Sequence, residues 1–174
     1  NISVQIGNYV AVQDTFIKDN TIHNMNHYVL DYNKELASNY FTQSKEVIRF
    51  YEKYFGDYQW YEDGYKLIEV PYLGMEHQSA VTYGNGFSIY NGVRSKSWPM
   101  YGVIDPLIIH ETGHEWFGNS VTASDPTHIW IHEGLQVYSE AIFFEDKFDS
   151  YEVGVHYLNT LKNRIVNEIP IVGF

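Results

Sequence analysis

The chain has 174 residues, 44% of them hydrophobic and 19% charged, with a formal net charge of −11. That composition excludes a disordered polymer and suits one domain with a proper core. The negative balance argues against nucleic acid and against an anionic membrane surface, whose phosphates would be repelled. There are no cysteines, so disulfides and thiolate metal ligation are both excluded, and any metal must sit on nitrogen and oxygen. No apolar run reaches membrane-spanning length. The chain opens on a polar, strand-like stretch without an initiator methionine, which predicts a piece of a longer protein.

Residues 1 to 17 alternate β-branched and polar positions and predict strand around a Gly7-Asn8 turn. HYVLDY, 27 to 32, predicts a second strand, with His23 and His27 read as solvent-exposed in a polar stretch. From Lys34 to Phe55 the period changes: Leu36, Tyr40, Val47, Phe50, Tyr51 and Tyr54 fit one broad helical face, ending at Gly56. This aromatic stripe predicts core. KLIEVPYL, 66 to 73, and SAVTYGNG, 79 to 86, predict further strands, with GMEHQ between or along them. Residues 86 to 104 read as a loop or short hairpin in which Trp98 and Tyr101 pack or line a pocket.

The next stretch, HETGHEWFGN at 110 to 119, carries the chemistry. Asp105 and Pro106 predict a helix start, an N-cap followed by proline at the first helical position, and Gly118 and Asn119 predict its end. On that helix His110 and His114 stand four residues apart and share a face. Two neutral imidazoles can thus converge on one zinc ion while Glu111 reaches a water on the metal. A third ligand is offered by Glu133 in WIHEGLQVYSE, after eighteen intervening residues from His114. A second helix, predicted from about 125 to 127, places Glu133, Val137 and Glu140 on one face. A chance HExxH in such a composition is expected roughly 0.03 times, and with a glutamate at one prescribed later position about 0.002 times. An ordinary helix with metal-free histidines is the weaker reading, because the preceding LII run would bury this turn, where unpaired imidazoles and a carboxylate are costly. A third helix over 149 to 168 puts Val153, Tyr157, Leu161 and Ile165 on one face, with His156 beside it as a structural residue. No linker or repeat divides the chain. Residues 1 to 174 predict one unit of the α+β class, mainly sheet with one long helix over 1 to 104 and zinc-site helices over 105 to 174.

Taken together, Gly74-Met75-Glu76-His77, the HETGH motif and Trp130-Ile131-His132-Glu133-Gly134 resemble the aminopeptidase N family of gluzincin zinc metallopeptidases, which also contains the leukotriene hydrolase. Its pattern is G-x-M-E-N, then HExxH, then eighteen residues to a glutamate within W-L-N-E-G. HEWFGNSVT and RFYEKYFGDYQW are similar to its flanking segments, so the match runs through most of the chain.

The resemblance implies a thermolysin-like catalytic domain, a mixed sheet packed on zinc-binding helices, truncated here on the C-terminal side and separated from N-terminal and C-terminal domains. It implies one zinc ion on His110, His114 and Glu133, Glu111 as general base, and Glu76 binding the free α-amino group of a peptide substrate. A carboxylate fixed there rewards an ammonium one residue from the scissile bond and is left unpaired by a peptide interior. His77 and His132 replace the two motif asparagines; each is a candidate donor to the neighbouring glutamate or a tolerated substitution. Glu140 is a candidate acceptor for a ligand imidazole or a salt-bridged helix carboxylate. The family's oxyanion tyrosine is expected beyond Phe174, since Tyr138, Tyr151 and Tyr157 come too early. The resulting expectation is a zinc-dependent aminopeptidase whose present fragment binds zinc but turns over weakly or not at all. The alternative is a zinc- or peptide-binding relative with degraded catalysis, which the intact Glu111 argues against.

Overall fold

The computed structural model describes residues 3–88, 104–162 and 165–166; Trp98 and Tyr101 lie outside them. The first element is a long hairpin of β1 (Tyr9–Lys18) and β2 (Thr21–Leu30), paired from Tyr9 with Leu30 to Lys18 with Thr21. Its turn is Asp19 and Asn20, both with positive φ, 48° and 64°. Asp and Asn tolerate that conformation, and a turn with two positive φ values matches the twist of paired strands. The Gly7-Asn8 turn expected from the sequence is therefore displaced, and the polar run through Thr21 belongs to the hairpin itself.

One hairpin face is buried. It carries Val12 and Phe16 from β1 and Met25, His27 and Val29 from β2. His27, read from its polar neighbours as exposed, is 1% accessible. Alternation explains the difference, since the residue lies two positions from both Met25 and Val29 and must share their face. His23 is half-buried against the Tyr61 ring, with centroids 3.9 Å apart.

The helical stretch after the hairpin is two helices, α1 (Lys34–Tyr40) and α2 (Gln43–Phe55), broken at Phe41 and Thr42. The buried face continues across the break through Phe41 and the small Ser44, which hides it in the sequence. Val47, Ile48, Phe50 and Tyr51 are buried on α2, each worth about 1.5–3 kcal/mol for the larger apolar side chains. Leu36 and Tyr54, counted with that face in the sequence, are exposed. Three short strands follow, β3 (Leu67–Glu69), β4 (Gly74–Met75) and β5 (Val81–Tyr83). The sheet order is β1-β2-β3-β5-β4, with β3 parallel to β2 and β5 and the other two pairs antiparallel. It is a mixed sheet in an α+β fold.

Helices α3 (Pro106–Gly113), α4 (Glu133–Phe148) and α5 (Tyr151–Leu161) complete the described structure. α3 ends at Gly113, short of Gly118, and α4 is preceded by a 3₁₀ turn, Pro126–Ile131. Asp105 caps α3 by accepting from Leu107 N–H at 2.9 Å. The same buried carboxylate accepts from the Tyr40 and Tyr83 hydroxyls at 2.8 and 2.7 Å and from Asn85 Nδ2 at 3.0 Å. The start of the helix is thereby tied to α1 and β5.

Candidate metal centre

His110 lies in the last turn of α3 and His114 is its C-cap, so the i, i+4 spacing brings their rings to one side with centroids 4.7 Å apart. Glu133, the first residue of α4, meets them from the facing helix. The His110 and His114 Nε2 atoms are 3.2 Å apart. Glu133 Oε2 lies 3.6 Å from the first and its Oε1 3.7 Å from the second.

Each imidazole is held from behind. His110 Nδ1 is 2.7 Å from Glu140 Oε1, and His114 Nδ1 is 2.8 Å from the Phe117 carbonyl. A carbonyl only accepts, so His114 carries its hydrogen on Nδ1 and turns the Nε2 lone pair toward the centre. Burial, and then the charge of His110, lower the pKa of His114 and keep it neutral. Burial also opposes charge on His110, but the bond to Glu140 and the surrounding carboxylates carry its pKa up to about 9. Without a cation His110 therefore holds a second proton, which a cation on the ring nitrogens would have to displace.

The donor set fits a divalent cation. A tetrahedral zinc with bonds of about 2.0–2.1 Å has ligand atoms roughly 3.3–3.4 Å apart, close to the separations of 3.2, 3.6 and 3.7 Å found here. Among the described residues these three form the group whose ligand atoms, all within 4.8 Å of one another, could hold a metal.

The helices are registered by buried polar struts. Gln136 on α4 donates to the Ile109 carbonyl at 3.2 Å and accepts from the Tyr51 hydroxyl of α2 at 3.0 Å. Gly113 allows this crossing, because a Cβ there would sit 2.1 Å from both Gln136 Oε1 and Tyr51 Oη. Tyr157 of α5 donates to Glu140, so two further helices, α4 and α5, stand behind the His110 ring.

Glu111 is buried on the sheet side of the two histidines. Its carboxylate lies against Gly74, where an added Cβ would fall 2.7 Å from Glu111 Oε1. Burial pushes its pKa up to about 7, against the opposing charge of His110 and with help from Glu76, Glu133 and Glu140. Glu76 follows β4 directly, and its carbonyl accepts from Asn119 Nδ2 at 2.9 Å. The fold thus brings Glu76, Glu111, His110, His114, Glu133 and Glu140 into one electrostatic neighbourhood.

His132 is turned elsewhere: its Nε2 accepts from Ala123 N–H at 2.9 Å and holds the loop before the 3₁₀ turn. His77 is half-buried, and its Nδ1 has no hydrogen-bond partner among the described residues. Tyr138 and Tyr151 are exposed, while Tyr157 is buried behind Glu140. Sequence reasoning passed over Gly113, Glu115 and Asn119. Their signal was proximity to the histidine motif; their partners lie far away in the chain.

The peptidase family M1 domain matches residues 40–169, and the chain belongs to that family. Human endoplasmic reticulum aminopeptidase 2 is 31% identical over 140 residues, covering 74% of this chain and 14% of that protein. Probable aminopeptidase 1 of Sulfurisphaera tokodaii is 26% identical over 118 residues, 66% of this chain and 15% of that protein. The chain spans about a seventh of the length of these curated relatives. The crystal structure of the M1 zinc metallopeptidase from Deinococcus radiodurans shares the fold, with a TM-score of 0.68 at 16% identity over 94% of this chain and 34% of that one.

Proposed function

We propose that this chain is part of a zinc-dependent aminopeptidase that removes N-terminal residues from peptides, with the zinc held by His110, His114 and Glu133. The observation that carries the reading is the convergence of two imidazole Nε2 atoms and a carboxylate beside a buried glutamate whose pKa is about 7. Zinc bound there supplies Lewis acidity toward a peptide carbonyl and lowers the pKa of water toward about 7.

Glu111 accepts the proton of the attacking water and returns it to the leaving amine; a group titrating near the working pH does both well. Glu140 orients His110 by accepting from its Nδ1, with Tyr157 bonded behind it. Glu76 pairs with the substrate α-ammonium and selects free N-termini. Residues 1 to 174 act as one unit, and the mixed sheet with facing α3 and α4 corresponds to the core of a thermolysin-like catalytic domain.

The test is Glu111→Gln in the full-length protein. Zinc content stays as in the wild type while turnover of an aminoacyl substrate falls at least about 100-fold. Undiminished turnover removes Glu111 from the role of base, and a wild type that holds zinc without hydrolysing any free-amine peptide leaves a binding protein instead.

A further inference from the structure

The strand that delivers Glu76 is a weak support by itself. β4 has two residues, lies at the sheet edge and, among the described residues, pairs only with β5, through Gly74 with Tyr83 and Met75 with Thr82. Its ladder stops one residue before Glu76. Beyond it the chain turns through 77–80, closed by Ala80 N–H donating to the His77 carbonyl at 3.0 Å, with Ser79 at a left-handed φ of 51°. A non-glycine residue there is strained and needs outside support.

That support comes from just past the second histidine. Asn119 donates its backbone N–H to the His114 carbonyl at 2.9 Å and its side-chain Nδ2 to the Glu76 carbonyl at 2.9 Å. One residue is thus bonded to the backbones of both His114 and Glu76. Four residues earlier, Glu115 Oε1 accepts from Ser79 N–H at 2.6 Å. Glu115 is 1% exposed, and its Oε2 has no hydrogen-bond partner among the described residues. Burying a polar carboxyl group with so few bonds costs stability that an apolar side chain of similar size would not.

We propose that Glu115 and Asn119 are positioning residues for substrate selection: they clamp the 76–79 turn to the metal-bearing segment and thereby set where the Glu76 carboxylate meets a substrate ammonium. The proposal rests on the amino-group role given to Glu76 above. Neither residue touches the substrate. Their effect is on the preference for a free α-amino group over a blocked one, and it leaves metal binding intact.

The experiment compares L-leucine hydroxamate with N-acetyl-L-leucine hydroxamate binding to the zinc-loaded full-length protein, so no turnover is needed. Glu76→Ala comes first and collapses the preference for the free amine. Asn119→Ala and Glu115→Leu then reduce that preference about tenfold, with zinc content unchanged. Glu115→Gln, which keeps an acceptor oxygen for Ser79 N–H, restores it. Amide exchange at Ser79 follows the same order, fast in Glu115→Leu and slow in Glu115→Gln. If Glu115→Leu does not fold, the half-buried Asn119 carries the test. A preference lost in Glu76→Ala but untouched in Asn119→Ala overturns the clamp and leaves the amino-group reading standing. A preference that Glu76→Ala itself leaves untouched overturns that reading, and this proposal with it.

Discussion

His27 in the sheet and His114 at the end of α3 are both 1% exposed, and burial lowers the pKa of both, His27 to about 4. They differ in which ring nitrogen keeps the hydrogen. His27 Nδ1 accepts from Leu67 N–H at 3.0 Å, so its hydrogen sits on Nε2, which has no partner among the described residues. His114 Nδ1 faces a carbonyl, so its hydrogen sits there and the Nε2 lone pair is free to ligate. A buried imidazole becomes a candidate ligand when the backbone accepts a hydrogen bond from one ring nitrogen and leaves the other as an acceptor. When the backbone donates a hydrogen bond to it, the histidine is a strut between strands.

The sharpest way to break the contrast is to remove each ring. His114→Ala takes one of three donors away, and zinc measured by elemental analysis of the purified protein falls by at least about 100-fold in affinity terms. His27→Asn, which keeps an acceptor near the position of Nδ1, leaves the metal content unchanged. Equal loss in both variants would mean that His114 acts through the fold rather than at the metal. Next in size is Gly113→Ala. The new methyl would have to displace Gln136 and Tyr51, both fully buried, from 2.1 Å. Overpacking of this kind costs about 3 kcal/mol, read from the urea midpoint, and loosens the α3–α4 register on which Glu133 depends.

The two histidines also differ in what acid does to them. The folded-state pKa of His27 is about 4 against an ordinary 6.5, so the unfolded chain takes up the proton first as pH falls. Stability is full above about pH 6.5, declines through the window between 6.5 and 4, and has lost roughly 3 kcal/mol below it. Urea denaturation of the metal-free protein at pH 7 and pH 4.5, wild type against His27→Asn, isolates that slope. The variant has a shallower acid dependence; identical slopes would show that His27 is charged or solvated in the folded protein.

The candidate centre was legible because its spacing is a short-range property of a helix. His110 and His114 must share a face wherever α3 goes, and Asp105-Pro106 marks where it begins. Glu133 was offered by the need for a third ligand and singled out by the resemblance, but its convergence was not legible, since eighteen intervening residues contain a loop and a 3₁₀ turn that no periodicity counts. The hairpin was misplaced because Gly7-Asn8 is the more conspicuous turn signal, whereas Asp19-Asn20 reaches positive φ without glycine. His27 looked exposed because Asn24, Asn26 and His27 read as a polar cluster until the strand period assigns every second residue inward. The partners of Glu115, Asn119 and Gln136 are set by how sheet and helices stack, and a local pattern does not carry that.

His132 supplies the smallest and most discriminating effect. Like His27, it accepts a backbone N–H, from Ala123 at 2.9 Å, although it is adjacent in sequence to Glu133. If the direction of the backbone bond sorts histidines, then His132 belongs with the struts and not with the ligands, whatever its position in the motif. His132→Ala should therefore cost about 1 kcal/mol, the net worth of one such bond, with zinc affinity within about twofold of wild type. A neutral acceptor such as asparagine at that position should recover part of the loss by reaching the same N–H. A His132→Ala protein that folds normally but holds zinc tenfold more weakly would place this ring in the support of Glu133, and proximity to the metal would then outweigh the polarity of the backbone bond.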